Sequence, residues 1–380
     1  MINLKITFIS ALLKIQNTIL LSLQKTIWRT TPSKVSNILI YKNGNIGDII
    51  IAFPTIKAIR LKYPDAKITF FTSPGPKTAI SAAHLFESQN LVNELIYYYD
   101  GKVFPFFSII RQRNFDLCFV MSDDRTVFLK EIRNLFFFAL LKIKYLYGFS
   151  VNRIKFFETS FAQKIPYPYK NEVERNLQIL NFPTNQIDQL FSYSLLDNDI
   201  SNKIFDVTKI SNNTLIIATG AKLKSKQWDK NNFFEIAKLW LQNKGDVLFI
   251  GDKKDSEDAD IMIGKLEQWK MRTELMFESN NWYNLCNKTT LDESIFLIQK
   301  SVAMIANDSG AAHFSSLTNT KIVTIQAPRD FKLKWDPYFS KELVLRPSKT
   351  PLCRCSLDSC GYCINDITHN DVWHKLKGFA

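Results

Sequence analysis

Long hydrophobic runs without charge are missing from this chain of 380 residues. A helix that spans a membrane needs roughly 18 or more consecutive apolar residues. No run in the sequence approaches that length, which excludes a polytopic membrane protein. Hydrophobic residues make up 46% of the chain and charged residues 22%, a balance that also excludes wholesale disorder. At roughly 100–200 residues per domain, the length predicts two folded domains.

Acidic residues are absent from the first 47 positions, although the whole chain carries 36 of them. A basic, acid-free helix with apolar side chains suits the surface of an anionic membrane, and packing on the body of the protein is the alternative. Lys14 interrupts the apolar run, so the segment lacks the unbroken core expected of a signal peptide. We expect residues 1–36 to form a basic amphipathic helix at a membrane interface.

A second region with little acid, residues 125–155, carries seven basic side chains against Glu131 alone and interleaves them with aromatic residues. Aromatic rings between cations stack on single-stranded bases or anchor at membrane headgroups. No helix-turn-helix, RNA-binding sheet signature or zinc-finger spacing accompanies these rings. We therefore expect the net charge of +13 to serve a membrane surface or an acidic lipid-borne substrate, and not nucleic acid.

Short apolar segments alternate with helical patterns in two successive series. The predicted strands are residues 37–41, 66–74, 91–98, 115–122, 214–220, 246–252, 302–308 and 321–328. Such alternation predicts parallel sheets covered by helices on both faces. The fold class is therefore α/β with two doubly wound units, and ligands are expected outside the carboxyl ends of the strands, in the crevice between the units.

The first predicted strand ends in a loop with two glycines, Gly44 and Gly47, which let the backbone approach a ligand closely. Lys42 opens this loop, and Asp48 starts the helix that follows it. From the residues alone, Asp48 is better interpreted as an acid that stabilises the first helical turn. The loop is neither a P-loop nor a GxGxxG fingerprint, so nucleotide binding by those routes is unsupported.

A second strand-to-helix loop begins at Thr219 and Gly220 and reaches Lys226. Its backbone N–H groups are suited to hold an anion, and a lysine adds a point charge suited to a diphosphate. A solvated basic loop is the alternative interpretation.

A third polar turn follows the strand that ends near residue 308. The amides and the hydroxyl of Asp308, Ser309 and Gly310 again suit a phosphate group. His313 lies about one turn into the next predicted helix, and a lone histidine on a helix is more often structural.

Together these segments resemble the motifs of the bacterial lipopolysaccharide heptosyltransferases, glycosyltransferase family 9. The resembling segments are ILIYKNGNIGDIIIAFPTIKAIRLKYP, ATGAKLKSKQW, LCNKTTLDE (285–293) and NDSGAAHFSSL (307–317). They occur in the family's order, and the resemblance runs from about residue 37 to the C-terminus. It implies the GT-B fold, in which two Rossmann-like domains face a central cleft.

The same resemblance implies an inverting transferase that needs no metal or other cofactor for its chemistry. Asp48 matches the general base, which takes the acceptor's proton as that oxygen attacks the anomeric carbon. Lys42, Gly44 and Gly47 match the acceptor-side loop. The positions that match the nucleotide-sugar site are Thr219, Gly220, Lys226, Asp308, Ser309, Gly310 and His313.

Three departures from the family's pattern lie near the implied donor pocket. Asn287 stands where glycine is usual, Asp229 where proline is common, and residues 325–328 replace an aromatic-glycine-proline turn. They leave the donor's base and sugar open. Asp258 and Asp260 form a DxD pattern, but in an acidic, helical stretch that we do not expect to bind a metal.

Four of the six cysteines cluster near the C-terminus, at Cys353, Cys355, Cys360 and Cys363. The C-x2-C pair among them is able to supply ligands to a tetrahedral metal site, and some members of the family hold a metal in a similar tail. Disulfides require an oxidising compartment, and no export signal is recognised. Three alternatives stay open: a structural zinc or iron site, reduced thiols that pack the tail, and disulfides.

The sequence therefore predicts four segments. They are a basic helix at 1–36, an acceptor domain at 37–190, a nucleotide-sugar domain at 191–345 and a Cys-rich tail at 346–380. In the tail, Thr368-x-x-Asp371 begins a final helix expected to pack back on the N-terminal domain.

The predicted protein is a cytoplasmic transferase at the inner face of the cytoplasmic membrane. It moves a heptose or a related sugar from a nucleotide diphosphate, with ADP-heptose preferred, to a lipopolysaccharide core or another surface glycan. Its expected partners are the nucleotide-sugar donor, a lipid-linked glycan acceptor and an anionic membrane surface. A non-catalytic nucleotide-sugar-binding paralogue and a nucleic-acid-binding protein remain the alternatives.

Overall fold

Two parallel β-sheets organise the chain, one in each of two units that span Met1–Leu190 and Phe191–Ala380. The computed structural model describes residues 2–78, 80–122, 126–149, 171–193, 211–273, 282–328, 332–347 and 363–380. Neighbouring strands in both sheets are parallel. The predicted α/β class is therefore confirmed.

The first sheet has the strand order β3-β2-β1-β4-β5. Its strands are β1 (Asn37–Tyr41), β2 (Lys67–Thr72), β3 (Glu94–Tyr97), β4 (Leu117–Val120) and β5 (Tyr145–Gly148). The helices of this unit are α1 (Ile2–Ile27), α2 (Ile46–Lys62), α3 (His84–Ser88), α4 (Phe107–Gln112), α5 (Phe128–Leu140) and α6 (Glu172–Leu177). Ile38, Leu39 and Ile40 of β1 have no exposed surface, because a central parallel strand is covered on both faces.

The second sheet has the strand order β11-β10-β9-β6-β7-β8. Its strands are β6 (Thr214–Ala218), β7 (Asp246–Phe249), β8 (Trp282–Asn284), β9 (Ala303–Asn307), β10 (Lys321–Ile325) and β11 (Val344–Leu345). The helices are α7 (Lys230–Gln242), α8 (Lys253–Thr273), α9 (Leu291–Lys300), α10 (Phe314–Thr318) and α11 (His369–Leu376). One face of β6, β7 and β9 shares a hydrophobic cluster with the buried residues of α7.

Helix α11 begins where the sequence predicts. Thr368 Oγ1 accepts the N–H of Asp371 at 3.3 Å, and the Asp371 carboxylate accepts the N–H of Thr368 at 2.8 Å. The apolar side chains of this helix, Val372 and Leu376, lie in the hydrophobic cluster of the second unit, and the helix packs on α7 and β10. The buried stripe of the helix completes the core of its own unit, and the expected packing on the N-terminal domain stays a prediction.

The aromatic, basic region at 125–155 contains more core than the sequence indicates. Phe138, Leu146 and Phe149 are buried in the first unit's cluster, since α5 and β5 both fall in this region. Phe136 is 56% exposed. Only part of the region is therefore a surface.

Helix α1 packs on the first unit with one of its faces. Ile9, Leu13 and Leu20 are buried against Phe128 and Ile132 of α5. At its C-terminal end the Trp28 indole N–H donates to the carbonyl of Ile143 at 2.8 Å. In the part of the chain that the structure describes, no helix is both long and apolar enough to cross a membrane.

Candidate active site

In each sheet, chain order reverses between two neighbouring strands. The reversals lie between β1 and β4 and between β6 and β9. Doubly wound sheets bind ligands outside the carboxyl ends of their strands at such points. All the predicted site loops start there: residues 42–48 follow β1, residues 219–226 follow β6, and residues 308–313 follow β9.

Asp48 lies half-buried in the first turn of α2. Its Oδ2 accepts the N–H of Asn45 at 2.9 Å, so the carboxylate caps the helix as the residues alone suggest. Gly44 has φ +151°, and a Cβ there would come within 2.3 Å of the Asp48 Cβ. A side chain at position 44 would therefore displace the Asp48 side chain, so glycine is required there.

Asn43 fixes the loop before Asp48 through its amide. The carboxamide Oδ1 accepts the N–H of Ser73 at 3.0 Å, and Nδ2 donates to the Tyr41 hydroxyl at 2.9 Å. The hydroxyls of Tyr41 and Tyr98 lie 2.9 Å apart. Burial raises the pKa of both tyrosines, so both remain hydrogen-bond donors at neutral pH. The sequence reasoning missed this network, although Tyr41 ends β1 and Tyr98 directly follows β3.

Lys42 is buried, with 3% of its surface exposed at the end of β1. Its backbone N–H donates to the Phe71 carbonyl at 3.2 Å and continues the pairing of β1 with β2. Gly47 is buried in the first turn of α2. The acceptor-side residues of the sequence prediction thus share one short loop.

Lys226 and Asp308 form an ion pair at the reversal between β6 and β9. Lys226 Nζ lies 2.7 Å from Asp308 Oδ2, and their side chains are 20% and 6% exposed. The structure therefore brings together two residues that are separated by 82 positions in the sequence. The lysine keeps an accessible side, and the largely buried carboxylate holds its ammonium group in place.

Asn307 ties together the three chain segments around this ion pair. Its Nδ2 donates to the Thr219 carbonyl at 2.6 Å, and its Oδ1 accepts the Trp228 N–H at 3.1 Å. The side chain has no exposed surface. The sequence reasoning gave Asn307 no role; its position at the end of a buried strand was the available signal.

Ser309 and His313 complete the turn after β9. Ser309 Oγ is buried and has no hydrogen-bond partner among the described residues. A buried hydroxyl usually has such a partner, so this one is a candidate to bind a ligand. Gly310–His313 is one turn of 3-10 helix that continues into α10. Burial lowers the pKa of His313 to about 4, against the opposing effect of Asp308. The imidazole is therefore neutral at pH 7.

Asp255 lies beside the predicted donor loop, a placement that the sequence reasoning missed. It lies in the first turn of α8, and its Oδ2 accepts the N–H of Asp252 at 2.9 Å. A Cβ added at Gly220 or Gly251 would come within 2.4 Å of the same oxygen. Burial raises the pKa of Asp255. Because Gly220 and Gly251 lack side chains, the Asp255 carboxylate is able to pack at the carboxyl ends of β6 and β7.

The substitutions that depart from the family pattern fit the local backbone. Asn287 has φ +58°, in the left-handed region that asparagine tolerates better than most residues. Asp229 Oδ1 accepts the N–H of Asn231 at 2.8 Å and caps α7. Asparagine therefore occupies a glycine-like conformation, and the aspartate supplies a helix cap.

No cluster of three or more acidic, histidine or cysteine side chains suited to a metal occurs within the described ranges. Asp258 pairs with Lys230, and Asp260 accepts from Asn284 Nδ2 at 2.6 Å. Cys363 lies within the described residues, and the three alternatives for the tail cysteines stay open. Cys353, Cys355 and Cys360 lie outside the described residues.

Comparison with known proteins adds independent information. The sequence model described as "Glycosyltransferase family 9 (heptosyltransferase)" matches residues 106–354. Lipopolysaccharide heptosyltransferase 3 of Escherichia coli K12 is 25% identical over 303 residues, which are 77% of this chain and 82% of that protein. Lipopolysaccharide heptosyltransferase 2 of the same strain is 28% identical over 105 residues, 27% of this chain and 28% of its own length.

Two solved structures share the fold. The E. coli ADP-heptose lipopolysaccharide heptosyltransferase II superposes with a TM-score of 0.61 at 18% identity, covering 90% of this chain and 98% of that one. A family 9 glycosyl transferase from Veillonella parvula gives a TM-score of 0.64 at 14% identity, covering 92% and 99%. These similarities confirm the expected GT-B fold.

Proposed function

Because this chain belongs to glycosyltransferase family 9, we propose that it transfers a heptose from ADP-heptose to a lipopolysaccharide core or a related surface glycan. Membership of this family makes the protein a glycosyltransferase. The heptose and the glycan are the proposal, and the names of its relatives support them. We further propose that residues 37–190 bind the acceptor and residues 191–345 bind the donor.

The Lys226–Asp308 ion pair, 2.7 Å long, is the observation that carries the proposal. A lysine held by a buried carboxylate at a topological switch point presents a fixed positive charge to a bound diphosphate. The N–H groups of Ser309 and Gly310 begin the adjacent helical turn, and the Ser309 hydroxyl adds a polar group without another partner in the described residues. In our proposal these groups stabilise the negative charge of the departing diphosphate.

The reaction is a single displacement at the anomeric carbon. The acceptor oxygen forms its bond to that carbon while the bond to the diphosphate oxygen breaks, and the electron pair leaves with the diphosphate. Asp48 accepts the proton of the acceptor hydroxyl. A carboxylate has several lone pairs, so the same group is able to cap α2 and act as the base.

His313 contributes no charge to this site, because its imidazole is neutral at pH 7. A neutral imidazole donates one hydrogen bond and accepts another. We propose that His313 positions the turn that follows β9, and that the charge which faces the diphosphate comes from Lys226.

The proposed site of action is the inner face of the cytoplasmic membrane, where the acceptor is lipid-linked. The acid-free first 47 residues support contact with an anionic membrane surface. Nucleic acid is not a proposed partner.

Thermal-shift titration against ADP-, GDP-, UDP- and dTDP-sugars tests the donor, since a ligand that binds the native state raises the melting temperature. We expect ADP-heptose to give the largest shift. Asp48→Asn should retain that shift and lose transfer, whereas Lys226→Met should lose both. A shift with ADP-heptose but no transfer by the unmodified protein would instead indicate a non-catalytic paralogue. Full transfer by Asp48→Asn would refute the role of Asp48.

A further inference from the structure

Helix α1 carries a second apolar face that its packing on α5 leaves uncovered. Leu4, Phe8, Ile15 and Ile19 are 80%, 68%, 57% and 43% exposed. At 100° per residue these four positions fall within one narrow stripe of the helix, on the side away from the buried Ile9, Leu13 and Leu20. We call these four residues the outer stripe of α1.

The neighbouring helix α5, which packs against α1, carries exposed apolar residues of its own. Leu129, Phe136 and Leu140 are 78%, 56% and 61% exposed and recur at a helical spacing of seven and four residues. Single exposed apolar residues are ordinary on a protein surface, but seven on two helices in contact mark an interaction site. The outer stripe and these three residues together form what we call the docking face.

The exposed charged side chains on the described parts of α1 and α5 are all basic. Lys14 and Lys25 of α1 and Lys130 and Arg133 of α5 are exposed. The one acid of α5, Glu131, is 1% exposed and accepts hydrogen bonds from Ser122 at 2.6 Å and Thr126 at 2.7 Å. Since no acid precedes Asp48 in the sequence, the two helices turn cations outward and their one acid inward.

A surface cavity of about 570 Å³ lies at the C-terminal end of α1. Lys25, Thr26, Trp28, Arg29 and Tyr145 line it. Two cations beside a hydroxyl and two aromatic rings provide the groups that hold an anionic lipid headgroup at a membrane interface.

We propose that the docking face seats the protein on a bilayer that contains anionic lipids, with α1 lying in the plane of the interface. The face combines an apolar stripe with flanking cations, which is the composition of interfacial helices. A second copy of the chain is a poorer occupant, because an isologous dimer would bring two cationic faces together. The inference deepens the membrane location of the proposed function and uses residues outside the candidate active site.

Vesicle co-sedimentation of the full chain tests the proposal. We expect binding to vesicles of phosphatidylcholine mixed with phosphatidylglycerol and much weaker binding to phosphatidylcholine alone. The fourfold variant Leu4→Ser, Phe8→Ser, Ile15→Ser and Ile19→Ser should bind at least about 100-fold more weakly, because two side chains that enter the interface already contribute about that factor at about tenfold each. Its melting temperature should stay close to that of the unmodified protein, since the replaced residues are exposed.

A matched control replaces apolar residues of similar exposure elsewhere. Ile261 and Met271 on α8 are 60% and 79% exposed, and Ile261→Ser with Met271→Ser should leave vesicle binding unchanged. Lys14→Gln with Lys25→Gln should weaken binding to anionic vesicles by about fivefold per charge, and added salt should weaken it further.

Two results would overturn the proposal. One is equal binding of the fourfold variant and the unmodified protein to anionic vesicles. The other is that the unmodified protein is a dimer in analytical ultracentrifugation and does not bind vesicles, whereas the fourfold variant is a monomer. The occupant of the docking face would then be a second copy of the chain. The thermal shift of the same variants with ADP-heptose distinguishes this proposal from the proposed reaction. A variant that keeps the shift but loses vesicle binding has lost only the function of the docking face.

Discussion

The buried histidine at the candidate donor site makes stability depend on pH in a defined window. His313 is 6% exposed, and its pKa in the folded protein is about 4, against about 6.5 in an unfolded chain. The folded state thus binds fewer protons than the unfolded state between these two values. The contribution of His313 to the free energy of unfolding is fully present above pH 6.5. It decreases as the pH falls and reaches its minimum below about pH 4.

The size of this effect follows from the two pKa values. A difference of about 2.5 units corresponds to about 3 kcal/mol at full protonation, and about 2 kcal/mol of it is lost by pH 5. Other groups titrate in the same range, so the measurement is a comparison with His313→Gln, which keeps a polar side chain and does not titrate.

Urea unfolding at several pH values between 8 and 4 provides the assay. We expect the unmodified protein to lose about 2 kcal/mol more than His313→Gln between pH 8 and pH 5. Parallel pH profiles for the two proteins would refute the assignment of a neutral, buried imidazole. Because the folded imidazole stays neutral down to about pH 4, its titration should leave ADP binding unchanged between pH 8 and pH 5.

Four further substitutions test the local structure. Gly44→Ala should lower the transfer rate by about 100-fold and leave the ADP thermal shift unchanged, because the new methyl group displaces the carboxylate of Asp48; normal transfer would contradict the close packing. Asn307→Ala should cost about 2–5 kcal/mol in urea unfolding and weaken ADP binding, and an unaffected thermal shift would argue against its role as a tether. Leu20→Ala should cost about 2–4 kcal/mol, whereas Leu4→Ala should change stability by less than about 0.5 kcal/mol; equal effects would contradict the two-faced packing of α1.

Strands with an apolar run were predictable from sequence, and edge strands without one were not. The continuous run NILIY predicts β1, and the structure places it at the centre of the first sheet. β5 and β8 have only four and three residues and lie at sheet edges. Their sequences, YLYG and WYN, mix aromatic with small or polar residues, so no apolar period distinguishes them from the surrounding chain.

The loops of the candidate site were predictable because their residue types carry the chemistry. Lys226 and Asp308 appear in separate motifs, and only the pairing of β6 with β9 shows that they meet. Asp255 was not predicted to be half-buried, because a helix that begins KKDSEDAD has the composition of a solvent-exposed helix. Its contact with Gly220 depends on tertiary structure that no local pattern encodes.

The final helix shows a different limit of sequence patterns. The capping box predicts where α11 begins, because that signal is local. Its apolar residues Val372 and Leu376 predict a buried face but do not specify the surface that covers it. The structure supplies α7 and β10 as that surface.

The outer stripe of α1 has a kinetic consequence if the docking face binds lipid. An enzyme confined to a bilayer meets a lipid-linked acceptor in two dimensions, so its rate follows the number of acceptors per unit area and not their number per unit volume. Diluting acceptor-bearing vesicles at fixed lipid composition would then leave the rate per bound enzyme unchanged. Adding inert lipid to the same bilayers would slow transfer. Saturation of this enzyme would accordingly be described by a surface density of acceptor.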